Sequence, residues 1–296
     1  MIRKPSARSI ARDITYAYES QSRFGRQFIR FIENMTGRIG LIKKAEGYAD
    51  EVAAGANFWQ LMFDRYDLEL EIVAGSLENI PSEGPVIIVS NHPFGILDGV
   101  SMGYILSKRR EKFKIMANRV FRRSSDLDEI ILPISFEGSK DALAQNIECR
   151  KEAISLLDDG GIIGIFPGAT VSTSATPMGQ AFDPSWQRFP TKLLTRSSAI
   201  VVPIYFEGHN SRLFQIVSHF SSHFRLGLLI GEFRKKSKRP VRVHIGKPIS
   251  RDDMQPFLKD AIALKSFLRT KTYGLGGVDA PLGYEFDERY REKQNG

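Results

Sequence analysis

The sequence predicts an α/β fold: a mixed, largely parallel sheet flanked by helices, with an N-terminal amphipathic helical element. Three observations carry this. Short apolar runs of strand length alternate with amphipathic stretches of helix length, which is the signature of strand and helix layers packed on one another. A chain of 296 residues, 42% hydrophobic and 26% charged, is long enough to bury such a core and too apolar to be disordered. The positive charge, finally, is gathered at the start of the chain, apart from the alternating region. Of the net +8, residues 1–44 hold +7, from ten basic and three acidic side chains.

Within that basic segment Phe24, Phe28, Phe31, Ile32, Met35, Ile39 and Ile42 fall on one arc of a helix, with Arg23, Arg26 and Arg30 opposite. A basic amphipathic helix suits an anionic bilayer surface, a nucleic-acid backbone or simple packing on the domain. No nucleic-acid motif accompanies it, and the stripe is wider than phosphate binding requires, so the reading is a membrane-facing element with Phe24, Phe28, Phe31 and Ile32 inward to lipid. A second helical stretch covers 50–63. Strands are then expected at 68–73, 86–89, 114–116, 130–134, 162–166, 201–206 and 241–245. Helices are expected at 98–107, 139–157 and 254–270, the second bounded by Ser139 and Gly160 as caps. This divides the chain into basic amphipathic helices (1–66), a catalytic α/β domain (67–250), and a C-terminal helix with a Gly-rich, then charged, loosely held tail (251–296).

No apolar run approaches the roughly 18 residues that span a bilayer, and the first residues lack the apolar core of a signal peptide. A cytoplasmic location is expected. The single cysteine, Cys149, excludes an internal disulfide framework and any multi-cysteine metal site, and reads as inert packing.

Two stretches carry chemistry. In Val86-Ile-Ile-Val-Ser-Asn-His-Pro-Phe-Gly-Ile-Leu-Asp-Gly99 an apolar strand ends in Asn91-His92, a Pro/Gly turn follows, and Asp98 opens a helix. The carboxyl ends of strands in open α/β sheets are where ligands meet reactive groups. A turn that folds Asp98 onto one imidazole nitrogen of His92 leaves the other free to accept a proton, which makes a general base. In Gly160-Gly-Ile-Ile-Gly-Ile-Phe-Pro-Gly-Ala-Thr-Val-Ser172 a second strand runs into a small-residue loop, whose amides and Thr170 and Ser172 hydroxyls can cradle an oxyanion or a phosphate.

Strand–Asn-His-Pro–Asp, then Phe166-Pro167 with a small-residue turn, then Val202-Pro203-Ile204 ending another strand, resembles the glycerolipid (lysophosphatidate-type) acyltransferases over about residues 68–249. Asn91-His-Pro-Phe-Gly-Ile-Leu-Asp-Gly, Phe166-Pro-Gly-Ala-Thr-Val-Ser, Val202-Pro-Ile-Tyr-Phe-Glu-Gly-His-Asn-Ser-Arg-Leu-Phe and Val241-Arg-Val-His-Ile-Gly-Lys-Pro-Ile most resemble the bacterial hemolysin-like branch. That branch includes enzymes that complete ornithine lipids and related aminolipids by acylating the hydroxyl of a lyso-aminolipid. The resemblance implies catalysis by His92 and Asp98, and substrate contacts from Asn91, Phe94, Gly95, Arg119, Phe166, Pro167, Gly168, Thr170, Ser172 and Pro203. It implies a thioester donor, acyl carrier protein or CoA, with no metal or other cofactor. The expected partners are a lysolipid acceptor and an anionic membrane surface, not nucleic acid, and the expected location is peripheral, on the cytoplasmic face of a bacterial inner membrane.

Three positions depart from the family pattern. His92 and Asp98 are separated by five residues instead of four, with Gly95 able to absorb the extra one as a bulge. Gly168, Ala169 and Val171 replace Glu, Gly and Arg of Phe-Pro-Glu-Gly-Thr-Arg, and Thr170 stands where the hemolysin-like variant keeps a Glu. The Gly-x-x-Phe-Ile-x-Arg motif has only Arg119 and Arg122 as candidates. Missing phosphate-binding arginines favour a lyso-aminolipid acceptor over 1-acylglycerol-3-phosphate, the alternative acceptor. An inactive membrane-surface binding protein is the alternative of another class. His219 and His223, at i, i+4, lack a third metal ligand, Gly160-Gly161-x-x-Gly164 enters its strand instead of following it, and there is no Gly-x-Ser-x-Gly elbow. The basic clusters 108–114 and 234–242 read as solvated faces, with a dock for an acidic carrier protein as the alternative.

Overall fold

A computed structural model describes residues 15–20, 22–118, 125–134 and 140–281. In chain order the strands are β1 (Leu70–Ala74), β2 (Val86–Ser90), β3 (Phe113–Asn118), β4 (Ile131–Ile134), β5 (Ile162–Ile165), β6 (Thr173–Ser174), β7 (Ala181–Phe182), β8 (Ile200–Phe206) and β9 (Val241–Ile245). Seven of them form a sheet in the order β1-β9-β8-β2-β5-β3-β4, and β6 and β7 form a separate two-residue antiparallel hairpin. Only the β8–β9 pairing in the large sheet is antiparallel, so the sheet is mixed and largely parallel, as its apolar runs predict.

Both faces of the sheet are covered, which is why the strands read as continuous apolar runs instead of alternating ones. On one face Ile87, Val89, Ile163, Ile165 and Val201 pack against Ala153, Leu193, Leu264 and Leu268; on the other Val86, Ile88, Val202 and Ile204 pack against Leu97, Met102, Ile105 and Leu106. Each such side chain removed from water contributes about 1.5–3 kcal/mol.

The helices longer than four residues are α1 (Arg23–Thr36), α2 (Arg38–Ala45), α3 (Tyr48–Ala53), α4 (Phe58–Tyr66), α5 (Ile96–Ser107), α6 (Lys140–Asp158), α7 (Phe189–Arg196), α8 (Arg212–Ser218), α9 (Ser222–Lys236) and α10 (Ala261–Gly274). Three expected helices are interrupted. The N-terminal one breaks at Gly37, whose φ of 120° ends α1 while its amide donates to the Glu33 carbonyl. The stretch 50–63 divides into α3 and α4, with Asn57 capping the second through the amides of Trp59 and Gln60. The stretch 254–270 divides into the end of a one-turn helix (Arg251–Met254), a 3-10 turn (Gln255–Phe257) that holds Pro256, and α10, which Asp260 caps. The tail expected to be loose begins with Leu275 and Val278 packed on the core. Its remainder from 282, like the Ser139 cap, lies outside the described residues.

Helix α1 lies parallel to α9. A Cβ on Gly227 would stand 2.8 Å from Ile32, and one on Gly231 the same distance from Thr36, so these glycines let the two helices approach. The stripe turned to α9 is Gly25, Phe28, Ile29, Ile32 and Thr36, while Glu33, buried beside it, accepts from Thr15 Oγ1 and the Tyr16 amide. Ile29 is fully buried, Phe28 meets Phe224 edge to face at 5.9 Å, and Ile32 lies against Gly227, all three half-buried or more. Phe24, Phe31, Met35 and Ile39 remain exposed. This corrects the expectation of four membrane-facing side chains: Phe24 and Phe31 point outward, whereas Phe28 and Ile32 serve packing. No helix among the described residues is long and apolar enough to cross a membrane.

Candidate active site

Strand β2 ends at Ser90, and the next two residues divide the labour. The Asn91 side chain donates from Nδ2 to the Phe206 carbonyl (2.9 Å) and accepts at Oδ1 from the Phe206 amide (2.8 Å). It thus continues the β2–β8 ladder one step beyond the strand, and this amide, expected at the substrate, is engaged by backbone. His92 follows. Its Nδ1 lies 3.0 Å from Asp98 Oδ2, so the five-residue spacing does bring the pair together.

The turn between them explains how. Gly95 takes φ 92°, a region that favours glycine, and starts α5. Asp98, in the first turn of α5, accepts from the Phe94 amide (2.8 Å) and the Gly95 amide (2.9 Å) through the Oδ2 that faces His92. Those amides hold Oδ2 in line, and Nδ1 approaches it off the hydrogen-bond axis without another aligned partner. Pairs of this kind tighten when substrate closes the site. Asp98 is fully buried, and burial raises its carboxyl above the usual carboxylate range against the pull of His92 and the two amides. With Nδ1 facing a carboxylate, Nε2 is the nitrogen left to take a proton. The ring is fixed by stacking on Phe166 (centroids 4.3 Å, 28°), and the side chain is 17% exposed.

The loop after β5 meets His92 from its other side. Ser172 donates its amide to the His92 carbonyl (2.8 Å), and Ala169, in the left-handed region at φ 62°, closes a turn by donating to the Phe166 carbonyl (3.0 Å). The hydroxyls proposed as a cradle are turned to bracing. Ser172 Oγ donates to Asp183 Oδ1 (2.5 Å), and Thr170 Oγ1 accepts from Arg225 Nη2 (3.2 Å). Arg225, buried under the loop, also donates to Thr173 Oγ1 and to the Val171 carbonyl. Pro167 is buried and its carbonyl accepts from the Gln187 amide.

Phe94 is buried beneath Lys236, whose ammonium stands 5.5 Å above the ring and whose pKa is lowered by burial. Pro203 does not reach the site: it pairs with Val89 within β8, and its carbonyl accepts from Gly246. Arg119, like Arg122, lies outside the described residues.

At the same end of the sheet a cavity of about 100 Å³ opens beside Asn91 and Ser172, walled by Gln180, Tyr205, His209 and Tyr273 among others. Burial raises both phenols, so they stay protonated and can donate. His219 and His223 make no pair: the first sits 3.0 Å from the Ser174 carbonyl oxygen, the second 2.9 Å from Ser20 Oγ. Asp183, Arg225 and the hairpin β6–β7 escape the sequence reading, since each acts on residues far away in the chain.

The model of a protein family described as Acyltransferase matches residues 57–280. The Lyso-glycine lipid O-acyltransferase of Phocaeicola vulgatus is 31% identical over 203 residues, which cover 66% of this chain and 69% of that protein. The protein of the same name from Bacteroides thetaiotaomicron is 28% identical over 202 residues, covering 66% and 71%. Among solved structures, the crystal structure of the 1-acyl-sn-glycerophosphate (LPA) acyltransferase, PlsC, from Thermotoga maritima covers 90% of this chain and 87% of its own, at 14% identity and a TM-score of 0.43.

Proposed function

Because the chain belongs to the acyltransferase family, we propose that it moves a fatty acyl group from an acyl thioester, on acyl carrier protein or CoA, to the hydroxyl of a lyso-aminolipid such as lyso-glycine lipid. The observation that carries this is the His92–Asp98 contact of 3.0 Å at the carboxyl end of β2. His92 Nε2 takes the proton of the acceptor hydroxyl as its oxygen attacks the thioester carbonyl. Asp98 stabilises the imidazolium that forms, and amides of the loop 166–172, around Gly168 and Thr170, hold the oxyanion. Collapse of the tetrahedral intermediate breaks the carbon–sulfur bond, and the leaving thiolate recovers the proton from His92. An acyl thioester is already activated, so the transfer itself calls for no metal or redox cofactor.

Two observations support the acceptor. The relatives of about 30% identity are named for lyso-glycine lipid, and among the described residues the lining of the cavity beside Asn91 includes no Lys or Arg to meet a phosphomonoester. The exposed Phe24, Phe31, Met35 and Ile39 on the basic N-terminal segment support work at the cytoplasmic face of a bacterial inner membrane, where both long-chain substrates reside.

The test is acylation by the purified protein of a lyso-glycine lipid and of lysophosphatidate, with products read by mass spectrometry. The aminolipid product is expected, and His92→Ala is expected to lose about 10²- to 10⁴-fold in turnover while remaining folded. Preferential acylation of lysophosphatidate would transfer the assignment to that acceptor, and normal turnover by His92→Ala would remove the mechanism.

A further inference from the structure

Asp183 is fully buried and lies 91 residues from His92 in sequence. Its carboxylate accepts three hydrogen bonds: from the His92 amide (3.0 Å) and Ser172 Oγ (2.5 Å) at Oδ1, and from Trp186 Nε1 (2.9 Å) at Oδ2. Ser172 in turn donates its amide to the His92 carbonyl, so both main-chain polar groups of His92 are tied to the Ser172–Asp183 unit. Asp183 is itself anchored. Its amide donates to the Tyr273 hydroxyl (2.9 Å), and Arg269, buried in α10, donates to the carbonyls of Asp183 (2.8 Å) and Pro184 (3.0 Å). Gly168 presses on the same carboxylate, for a Cβ there would stand 3.0 Å from Asp183 Cβ.

We propose that Asp183 is a positioning residue for His92: its carboxylate locks the backbone of the base to the loop after β5, and so fixes the distance from Nε2 to the amides that hold the oxyanion. This rests on the reading of His92 as the base. A carboxylate suits the place because all three partners are donors and it is acceptor on both oxygens. An asparagine would turn an N–H₂ toward one of those donors, and the strand end would shift against the loop. A displacement of about 1 Å between reacting groups costs on the order of 10²-fold in rate.

The experiment compares wild type, Asp183→Asn, and Asp183→Asn with Trp186→Phe, measuring kcat, KM and the thermal midpoint, with kinetics taken well below the midpoint. Asp183→Asn should lower kcat about 10- to 100-fold with KM unchanged. Adding Trp186→Phe removes the donor that clashes with the new amide, lets the asparagine oxygen face His92 and Ser172, and should recover most of the kcat. A merely structural role predicts no such recovery. Folded Asp183→Asn with wild-type kcat, or a loss that Trp186→Phe does not relieve, overturns the proposal. Should Asp183→Asn fail to fold, Ser172→Ala breaks half of the lock; lowered kcat at constant KM is expected, and wild-type kcat overturns the proposal. His92→Ala separates the two readings. If it stays active the base assignment falls, whereas an inactive His92→Ala beside a fully active Asp183→Asn removes only the role of Asp183.

Discussion

Asp98 does two jobs with one oxygen. It closes the first turn of α5 by accepting the Phe94 and Gly95 amides, and it faces His92 Nδ1. Asp98→Asn keeps the shape yet cannot stabilise an imidazolium, so turnover should drop on the order of 10²- to 10⁴-fold with little change in KM. Single-turnover acylation and a thermal melt of the same preparation check it; a folded variant with undiminished turnover would sink the pairing. His92 and Asp98 were legible in the sequence because strand end, turn and helix start all fall within one short stretch. Thr170 and Ser172 were legible as loop hydroxyls, but not their partners, since Arg225 is 55 residues beyond the one and Asp183 11 beyond the other. Nothing local distinguishes Asp183 from a surface carboxylate preceding a proline. Ala169 is a further case: the family motif has glycine there, and this chain keeps the left-handed backbone (φ 62°) with a side chain at a cost of roughly 1 kcal/mol.

At the scale of elements, the large sheet followed from its apolar runs, with strand ends displaced by at most two residues. The helices were less legible, because an uninterrupted apolar period hides the local breaks that Gly37 and Pro256 impose. Helix α9 left no periodic signal, for the face it buries includes Arg225, Gly227, Gly231 and Glu232 beside its leucines. Glu232 is satisfied there by the Ser211 amide and hydroxyl at the start of α8. Its glycines are where α1 docks, and Gly227→Leu places a side chain where Ile32 already stands. Overpacking of this kind costs typically about 1–3 kcal/mol. The expected outcome is a lower thermal midpoint together with faster proteolysis within α1; an unchanged midpoint would mean that the α1–α9 contact contributes nothing to stability.

For the whole molecule, the split of the N-terminal arc into an inner stripe and an outer ridge decides which substitutions test membrane contact. Phe24 and Phe31 are 78% and 60% exposed, so Phe24→Asp with Phe31→Asp should leave the fold within about 0.5 kcal/mol of wild type. The same pair should abolish sedimentation with anionic vesicles, and wild-type binding should weaken as salt screens the basic residues. Undiminished sedimentation of the double variant would place membrane contact elsewhere on the surface. The pairing of α1 with α9 also has a consequence in time. The two helices are separated by nearly 200 residues of chain, and at about 5–20 residues per second a ribosome needs roughly 10–40 s to make the partner after the helix. Through that interval Ile29 and Ile32 have no α9 to cover them, so the nascent chain presents a wider apolar face than the finished protein does. The apolar surface the chain exposes during synthesis is therefore larger than the one left after folding.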